Sequence, residues 1–211
     1  MEHPDFMPFF KIHEHEGSTY QPGLRRWLLG QPDIKTLVET GSGCSTCFMT
    51  MALQERGTGG HLYSIDPAAW CTYQVIHPTV TNVSRKSIDG IVELYSTVRP
   101  WDFFLHDGNH DLLAQSYDIW MGFALLRPGG WIWCDDYTWG EHHAWKRFAA
   151  LHNLPMHDFG ACSAIQKPEN KEAMDIGMVK EYSNYLKAKF KIEEDKWLAS
   201  GHTNSSVFAG Q

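Results

Sequence analysis

The chain has 211 residues, of which 43% are hydrophobic and 20% charged, and its net charge is −7. That length suits one domain plus extensions, long enough to bury a sizeable core, and the composition fits a soluble globular protein. With no Lys/Arg-rich tract the balance argues against a phosphate-backbone binder, and no apolar run approaches the length of a membrane span.

Residues 1–20 are rich in Phe, His and Glu without a clear period. They lack the basic and then apolar character of a secretion signal. His13, Glu14, His15 and Glu16 read as a solvated charged run rather than a metal site. The five cysteines, an odd number, fall mostly inside strand-like or helix-like runs, which reads as reduced thiols in a cytoplasmic compartment. Residues 18–29 carry Leu24, Trp27 and Leu28 on one side of a short helix, ended by Gly30 and Pro32.

The organising stretch follows. A short apolar strand at Leu37 and Val38 leads into Glu39, then into a turn with Gly41 and Gly43, then into a helix over residues 45–56. Strand, glycine turn and helix form the opening unit of a nucleotide-binding α/β fold. Glycine lets the backbone turn sharply and a ligand come close, and the first turn of the helix leaves N–H groups open. Ser45 stands where a third glycine is common, so the pattern is incomplete.

Strand and helix patterns then alternate. Residues 61–66 read as a strand ending on Asp66, 68–76 as a helix, 79–83 as a β-branched strand and 88–95 as a short helix. Residues 101–108 read as a strand ending on Asp107, and 112–126 carry apolar residues at helical spacing. Arg127, Pro128, Gly129 and Gly130 read as a stop before a strand over 131–136 that ends on Asp135 and Asp136. A helix over 141–152 and two strands, 156–159 and 162–166, close the domain. This alternation predicts an α/β fold: a Rossmann-like, doubly wound, mostly parallel sheet with helices on both faces. The expected organisation is an N-terminal segment over 1–23, a domain over 24–167 and a charged C-terminal extension over 168–211. The extension carries an amphipathic helix through Val179, Tyr182, Tyr185, Leu186 and Phe190, and a frayed end over 201–211.

Ligands of open α/β sheets sit outside the carboxyl ends of the strands. Four of the first five strands end in carboxylates here: Glu39, Asp66, Asp107 and the pair Asp135–Asp136. Asp66 is placed to accept hydrogen bonds from ribose hydroxyls, or else to cap the next helix. Three clustered acids, Asp107, Asp135 and Asp136, repel unless a proton or cation intervenes, and such oxygen-rich sets suit hard divalent ions such as magnesium. A capping acid plus an ordinary salt bridge is the other reading. His110, three residues after Asp107, could take a proton from a hydroxyl held near such an ion. Cys44 and Cys47 at a helix start also have the spacing of a redox pair, but that reading leaves the acids unexplained.

Together these residues resemble the class I S-adenosylmethionine-dependent methyltransferases, most closely the metal-dependent O-methyltransferase branch with its catechol and antibiotic-sugar enzymes. Val38 to Ser45 is similar to the first motif, Tyr63 to Pro67 to the ribose motif and Lys86 to Asp89 to the segment beside adenine. Phe104 to His110 followed by Leu125 to Asp136 is the most specific part. The resemblance implies that Glu39, Gly41, Ser42, Gly43, Ser45, Asp66, Ser87, Ile88 and Asp107 bind S-adenosyl-L-methionine. It further implies that Asp107, Asp135 and Asp136 hold a divalent metal and that His110 is the catalytic base. Relatives of this branch carry Lys or His at the position of His110, and often Asp-Asn or Glu-Asp where this chain has Asp135–Asp136.

The implied activity is metal-assisted O-methylation of a small hydroxylated acceptor, a sugar, phenol or polyol, with Trp139 and Trp133 as candidate walls, although buried packing is the favoured reading for Trp133. Nucleic acid and membrane are not expected as partners, and self-association is. The alternatives from the residues alone are an NAD(P)-dependent oxidoreductase, which would share the glycine turn and Asp66, and a non-catalytic protein that keeps the fold.

Overall fold

A computed structural model of the chain describes residues 21–67, 77–138 and 142–203. The elements in chain order are α1 (Gln21–Leu29), β1 (Thr36–Thr40), α2 (Cys44–Arg56), β2 (His61–Ile65), β3 (Val80–Val83), α3 (Ser87–Thr97), β4 (Trp101–His106), α4 (Leu112–Leu125), β5 (Leu126–Cys134), α5 (Ala144–His152), β6 (His157–Phe159), β7 (Cys162–Gln166) and α6 (Ile176–Ala199). The expected charged run at 13–16 and the expected helix at 68–76 lie outside the described residues.

The seven strands form one sheet in the order β3-β2-β1-β4-β5-β7-β6. The first five in that order are parallel, while β7 runs antiparallel to both β5 and β6. The chain leaves β1 toward β2 on one side and returns to β4 on the other. The gap between the carboxyl ends of β1 and β4 is therefore the topological switch point, where ligands of such sheets bind.

Strand alternation sorts the core into two layers. Val38, Phe104, Ile132 and Ile165 face a cluster built with α3, α4, α5 and α6, while Leu37, Phe103, Leu105, Trp133 and Ala164 face a second cluster built with α1 and α2. Helices thus cover both faces, as the sequence predicts. Trp133 is fully buried and packs with Trp27 and Phe103; it belongs to the core and not to a ligand wall. The C-terminal extension joins the first cluster through Val179, Leu186 and Phe190, and Asp175 caps α6 by accepting the Gly177 N–H at 2.8 Å.

Two boundaries differ from expectation. β5 begins at Leu126, so the Arg127–Gly130 stretch is strand rather than stop. The reason is a partner that is distant in sequence: Gly129 N–H donates to the Lys167 carbonyl and Lys167 N–H to the Gly130 carbonyl. The strand also ends at Cys134, which leaves Asp135 and Asp136 in a turn.

The opposite, amino-terminal edge of the sheet is tied by Asp102. Its Oδ2 accepts the Lys35 and Thr36 N–H groups at 2.7 and 2.8 Å, and its Oδ1 accepts Arg127 Nε at 2.6 Å. One carboxylate fixes the starts of β1, β4 and β5.

Candidate active site

The backbone ladder runs one residue past each strand and sets the site's rim. Gly41 N–H donates to the Ile65 carbonyl, Asp66 to Val83, Asp107 to Thr40 and Asp135 to His106, at 2.9 to 3.1 Å. The expected acids therefore share one edge of the sheet, across β1, β2, β4 and β5.

Gly41 answers to a close approach. Its φ is +89°, and a Cβ there would lie 2.0 Å from the Asp107 carbonyl oxygen. Any side chain would push apart the two strand ends that frame the switch point. Gly43 has no such constraint, because nothing stands within 4 Å of a Cβ built on it.

Behind the turn lies a hydroxyl network. Glu39 is fully buried; its Oε2 accepts from Ser45 Oγ at 3.0 Å and its Oε1 from Thr46 Oγ1 at 2.5 Å. Thr46 Oγ1 in turn accepts the Gly43 N–H at 2.9 Å. Ser64 also bonds Glu39, and its Oγ lies 2.5 Å from Ser42 Oγ. Burial, which disfavours the charged form, pushes the Glu39 carboxyl up to about 8 despite these donors. Asp66 Oδ2 accepts the Ser42 N–H at 2.8 Å, whereas Asp66 Oδ1 is buried with no hydrogen-bond partner. Burial raises this carboxyl too. Ser87 and Ile88 open α3, and the Ile88 carbonyl accepts from Tyr117 OH at 3.1 Å.

The three aspartates on the other side of the switch point are neighbours. Asp135 is pushed strongly upward by burial, then by the Asp107 charge and a hydrogen bond between the two carboxyl groups, with Asp136 adding to it. Asp136 is pushed up to about 6 by burial and by Asp107. A shared proton is what crowded carboxyls adopt when no cation balances them. Asp135 Oδ1 is buried without a hydrogen-bond partner, and Asp136 holds a left-handed backbone with φ 47°. Among the described residues no group of three or more His, Cys, Asp or Glu side chains is arranged to hold a metal ion. The acids fit a hard cation in kind, since all donors are oxygen and one proton already takes the place of positive charge. They do not converge on a common point as they stand.

His110 stands in the loop between β4 and α4. Its Nδ1 is 3.4 Å from Gln115 Nε2, its carbonyl accepts from His142 Nε2 at 2.9 Å, and its ring meets His106 edge-on, centroids 5.2 Å apart. Burial, then the neighbouring His106 and His142, lowers the imidazole to about 3. The expected pKa near neutrality is therefore not found: the ring is neutral throughout the physiological range because burial penalises its cation.

The tail's helix, which the sequence leaves open to capping the domain, pairing with another subunit or covering a site, packs onto the domain. Trp197 of α6 lies against His142, and Leu112, Arg147, Glu193, Lys196, Trp197 and Ser200 line a groove of about 310 Å³. Nothing in the sequence's periodicity links residue 197 to residue 142. Trp139 lies outside the described residues. Burial, then Cys44 and Glu39, drives the Cys47 thiol up to about 12, away from the thiolate that a redox pair requires.

Residues 38–137 match the family described as a methyltransferase domain. The match covers just under half of the chain. The matched segment spans β1 through the turn after β5, so it holds every acid of the rim. This match removes the nicotinamide-dependent alternative. A search of curated proteins finds no match.

Solved structures share the fold of the methyltransferase domain. MycE methyltransferase from the mycinamycin biosynthetic pathway, solved with Mg, SAH and mycinamycin VI, is 14% identical with a TM-score of 0.52, over 74% of this chain and 51% of that one. The chain thus spans about half the length of MycE. An O-methyltransferase from Bacillus cereus solved with SAH is 15% identical with a TM-score of 0.50, covering 79% of this chain and 92% of its own. SAH-bound PaMTH1 of Podospora anserina is 14% identical with a TM-score of 0.51, covering 70% and 78%. These likenesses show a shared fold. Among the described residues no helix is long and apolar enough to cross a membrane.

Proposed function

We propose that this protein transfers the methyl group of S-adenosyl-L-methionine to a hydroxyl of a small acceptor, a sugar, phenol or polyol, with a divalent cation, magnesium first, on the acids. The observation that carries the reading is the single rim on which a glycine turn, a half-satisfied Asp66 and three crowded aspartates meet. The SAH reported with MycE and the Bacillus cereus enzyme, and the magnesium reported with MycE, support it.

In this reading residues 24–167 form the catalytic unit. Gly41, Ser42 and Gly43 let the cofactor approach the backbone, and Ser45 steadies Glu39 for its methionine end. Asp66 Oδ1 receives a ribose hydroxyl, and Ser87 with Ile88 borders the adenine. Asp107, already in van der Waals reach of Gly41, lies between donor and acceptor. Asp107, Asp135 and Asp136 would hold the cation, turning inward from their proton-sharing arrangement. A bound divalent cation supplies the positive field that acidifies the acceptor hydroxyl.

The chain's remaining task is alignment and proton removal. The acceptor oxygen forms a C–O bond as the S–CH3 bond breaks and its electron pair goes to sulfur. The hydroxyl proton passes to His110, whose burial keeps it neutral and able to accept. A nitrogen this weakly basic takes a proton only from an acidified hydroxyl, which ties the base to the acids. Alignment of the two reactants supplies much of the remaining rate.

Isothermal titration of the full chain with S-adenosyl-L-methionine is the test. Asp66→Ala should fold and lose binding. Unchanged affinity in that variant, or no binding by the wild type, removes the assignment.

A further inference from the structure

Two backbone segments meet on one imidazole that the transfer chemistry does not use. His142, in the turn before α5, is 4% exposed. Its Nε2 lies 2.9 Å from the His110 carbonyl oxygen, and the Ala144 N–H donates to its Nδ1 at 3.3 Å. A carbonyl only accepts and a backbone N–H only donates. Nε2 therefore carries the ring proton and Nδ1 presents its lone pair. Both ring nitrogens are in use, and the tautomer is single.

The two contacts do different work. Ala144 opens α5, and its N–H is one of the donors that a helix start leaves open. Meeting that donor needs only an acceptor, which the shorter Ser, Asp or Asn supplies. The opposite nitrogen, which reaches the loop between β4 and α4, has no part in capping. The carbonyl it holds shares a peptide unit with the Asp111 N–H, which donates to Asn109 Oδ1 at 3.0 Å. His142 thus fixes the peptide plane that follows His110. The last turns of α6 back the imidazole. The Trp197 ring meets it edge-on, centroids 6.2 Å apart, and Arg147 Nη2 of α5 donates to Glu193 Oε2 of α6 at 3.2 Å.

We propose that His142 is a positioning residue for His110: it clamps the loop after β4 to the start of α5, with Trp197 of the last helix as its backstop. The inference deepens the methyl-transfer reading and rests on it for its purpose. The clamp itself is a property of the unliganded protein and can be read without turnover.

The experiment is amide hydrogen exchange of the full ¹⁵N-labelled chain, followed by NMR at Asp111 and Ala144, with the His110 ring signals assigned by His110→Gln. His142→Gln keeps an N–H at the reach of Nε2 but has no acceptor near Nδ1. His142→Asn keeps an acceptor near Nδ1 and is too short for the His110 carbonyl. In His142→Asn the Asp111 amide should exchange about tenfold faster, as the loss of one hydrogen bond allows. The His110 ring signals should shift in that variant, while Ala144 stays as in the wild type. His142→Gln should do the reverse, with Ala144 faster and the Asp111 and His110 signals restored. Trp197→Leu should speed exchange at both amides. Unchanged Asp111 exchange and His110 signals in His142→Asn overturn the proposal. Equal damage in the Asn and Gln variants, or failure of either to fold, also overturns it, since the histidine would then be a plain requirement of the fold. Unchanged exchange in Trp197→Leu overturns the part given to the last helix. If S-adenosyl-L-methionine fails to bind in the separate titration while the amides respond as expected, the function reading falls and the clamp stands.

Discussion

Gly41 and Asp107 touch backbone to backbone: a Cβ on residue 41 would stand 2.0 Å from the Asp107 carbonyl oxygen, at a φ of +89°. Gly41→Ala therefore meets both an overlap with rigid backbone and an unfavourable dihedral. The expected loss is about 2–4 kcal/mol, the sum of overpacking and a left-handed backbone. Gly43→Ala, with open space around its Cβ, should stay within about 0.5 kcal/mol of the wild type, as surface changes do. Urea unfolding of the two variants side by side measures the contrast.

Glu39 makes stability fall with rising pH. Its folded carboxyl titrates at about 8 against 4.5 for the ordinary group. Between those values the folded state holds a proton that the unfolded chain has released. The stabilisation is thus complete below about 4.5 and is lost as pH rises to about 8. Glu39→Gln should flatten this slope in unfolding curves taken from pH 5 to 8.

Asp102 ties the sheet's far edge through three hydrogen bonds. Asp102→Ala orphans the Lys35 and Thr36 N–H groups and leaves Arg127 without its partner. A cost of about 2–4 kcal/mol is expected from the unmet donors, with cofactor affinity unchanged because the acid lies at the opposite end of the strands. Denaturant midpoints and titration calorimetry together separate the two effects.

Lys167 carries the opposite pH sign. Its Nζ donates to the Ala124 and Leu126 carbonyls at the end of α4, and burial lowers it to about 8 from 10.5. The folded state sheds this proton before the unfolded chain does, so stability rises as pH climbs from about 8 to 10.5. Lys167→Met should abolish the rise and lose the two carbonyl bonds, which melting curves across that range record.

Divalent ions should act through the aspartates. Added magnesium competes with the proton shared by Asp107 and Asp135, so its stabilisation should be larger at pH 8 than at pH 5. Asp135→Asn, which removes one charge from the crowd, should raise the melting temperature without magnesium and blunt the response to it. Equal responses in both proteins would remove the cation from this site.

Local signals made much of this legible. Glycine at 41, acids after four of the five parallel strands and the helical spacing over 112–126 predicted the layers and the rim, because strand ends and turns leave marks within a few residues. Other features depend on partners far away in sequence. The start of β5 at Leu126 depends on Lys167, the core position of Trp133 on Trp27, and the groove beside His142 on Trp197. The low pKa of His110 has the same origin. A histidine's sequence neighbours do not reveal how much protein will cover it, and here His106 and His142 complete the cover.

The last helix has a consequence for how the chain is made. Tyr117 OH bonds Ser183 Oγ at 2.7 Å, and Phe190 closes the layer around Trp120 and Phe148. On the ribosome, the half of the molecule on that face stays uncovered until residue 190 has been made. A nascent chain halted before residue 190 presents Tyr117 and Trp120 to chaperones, so emergence of the last helix, rather than synthesis of the sheet, times the completion of folding on that face.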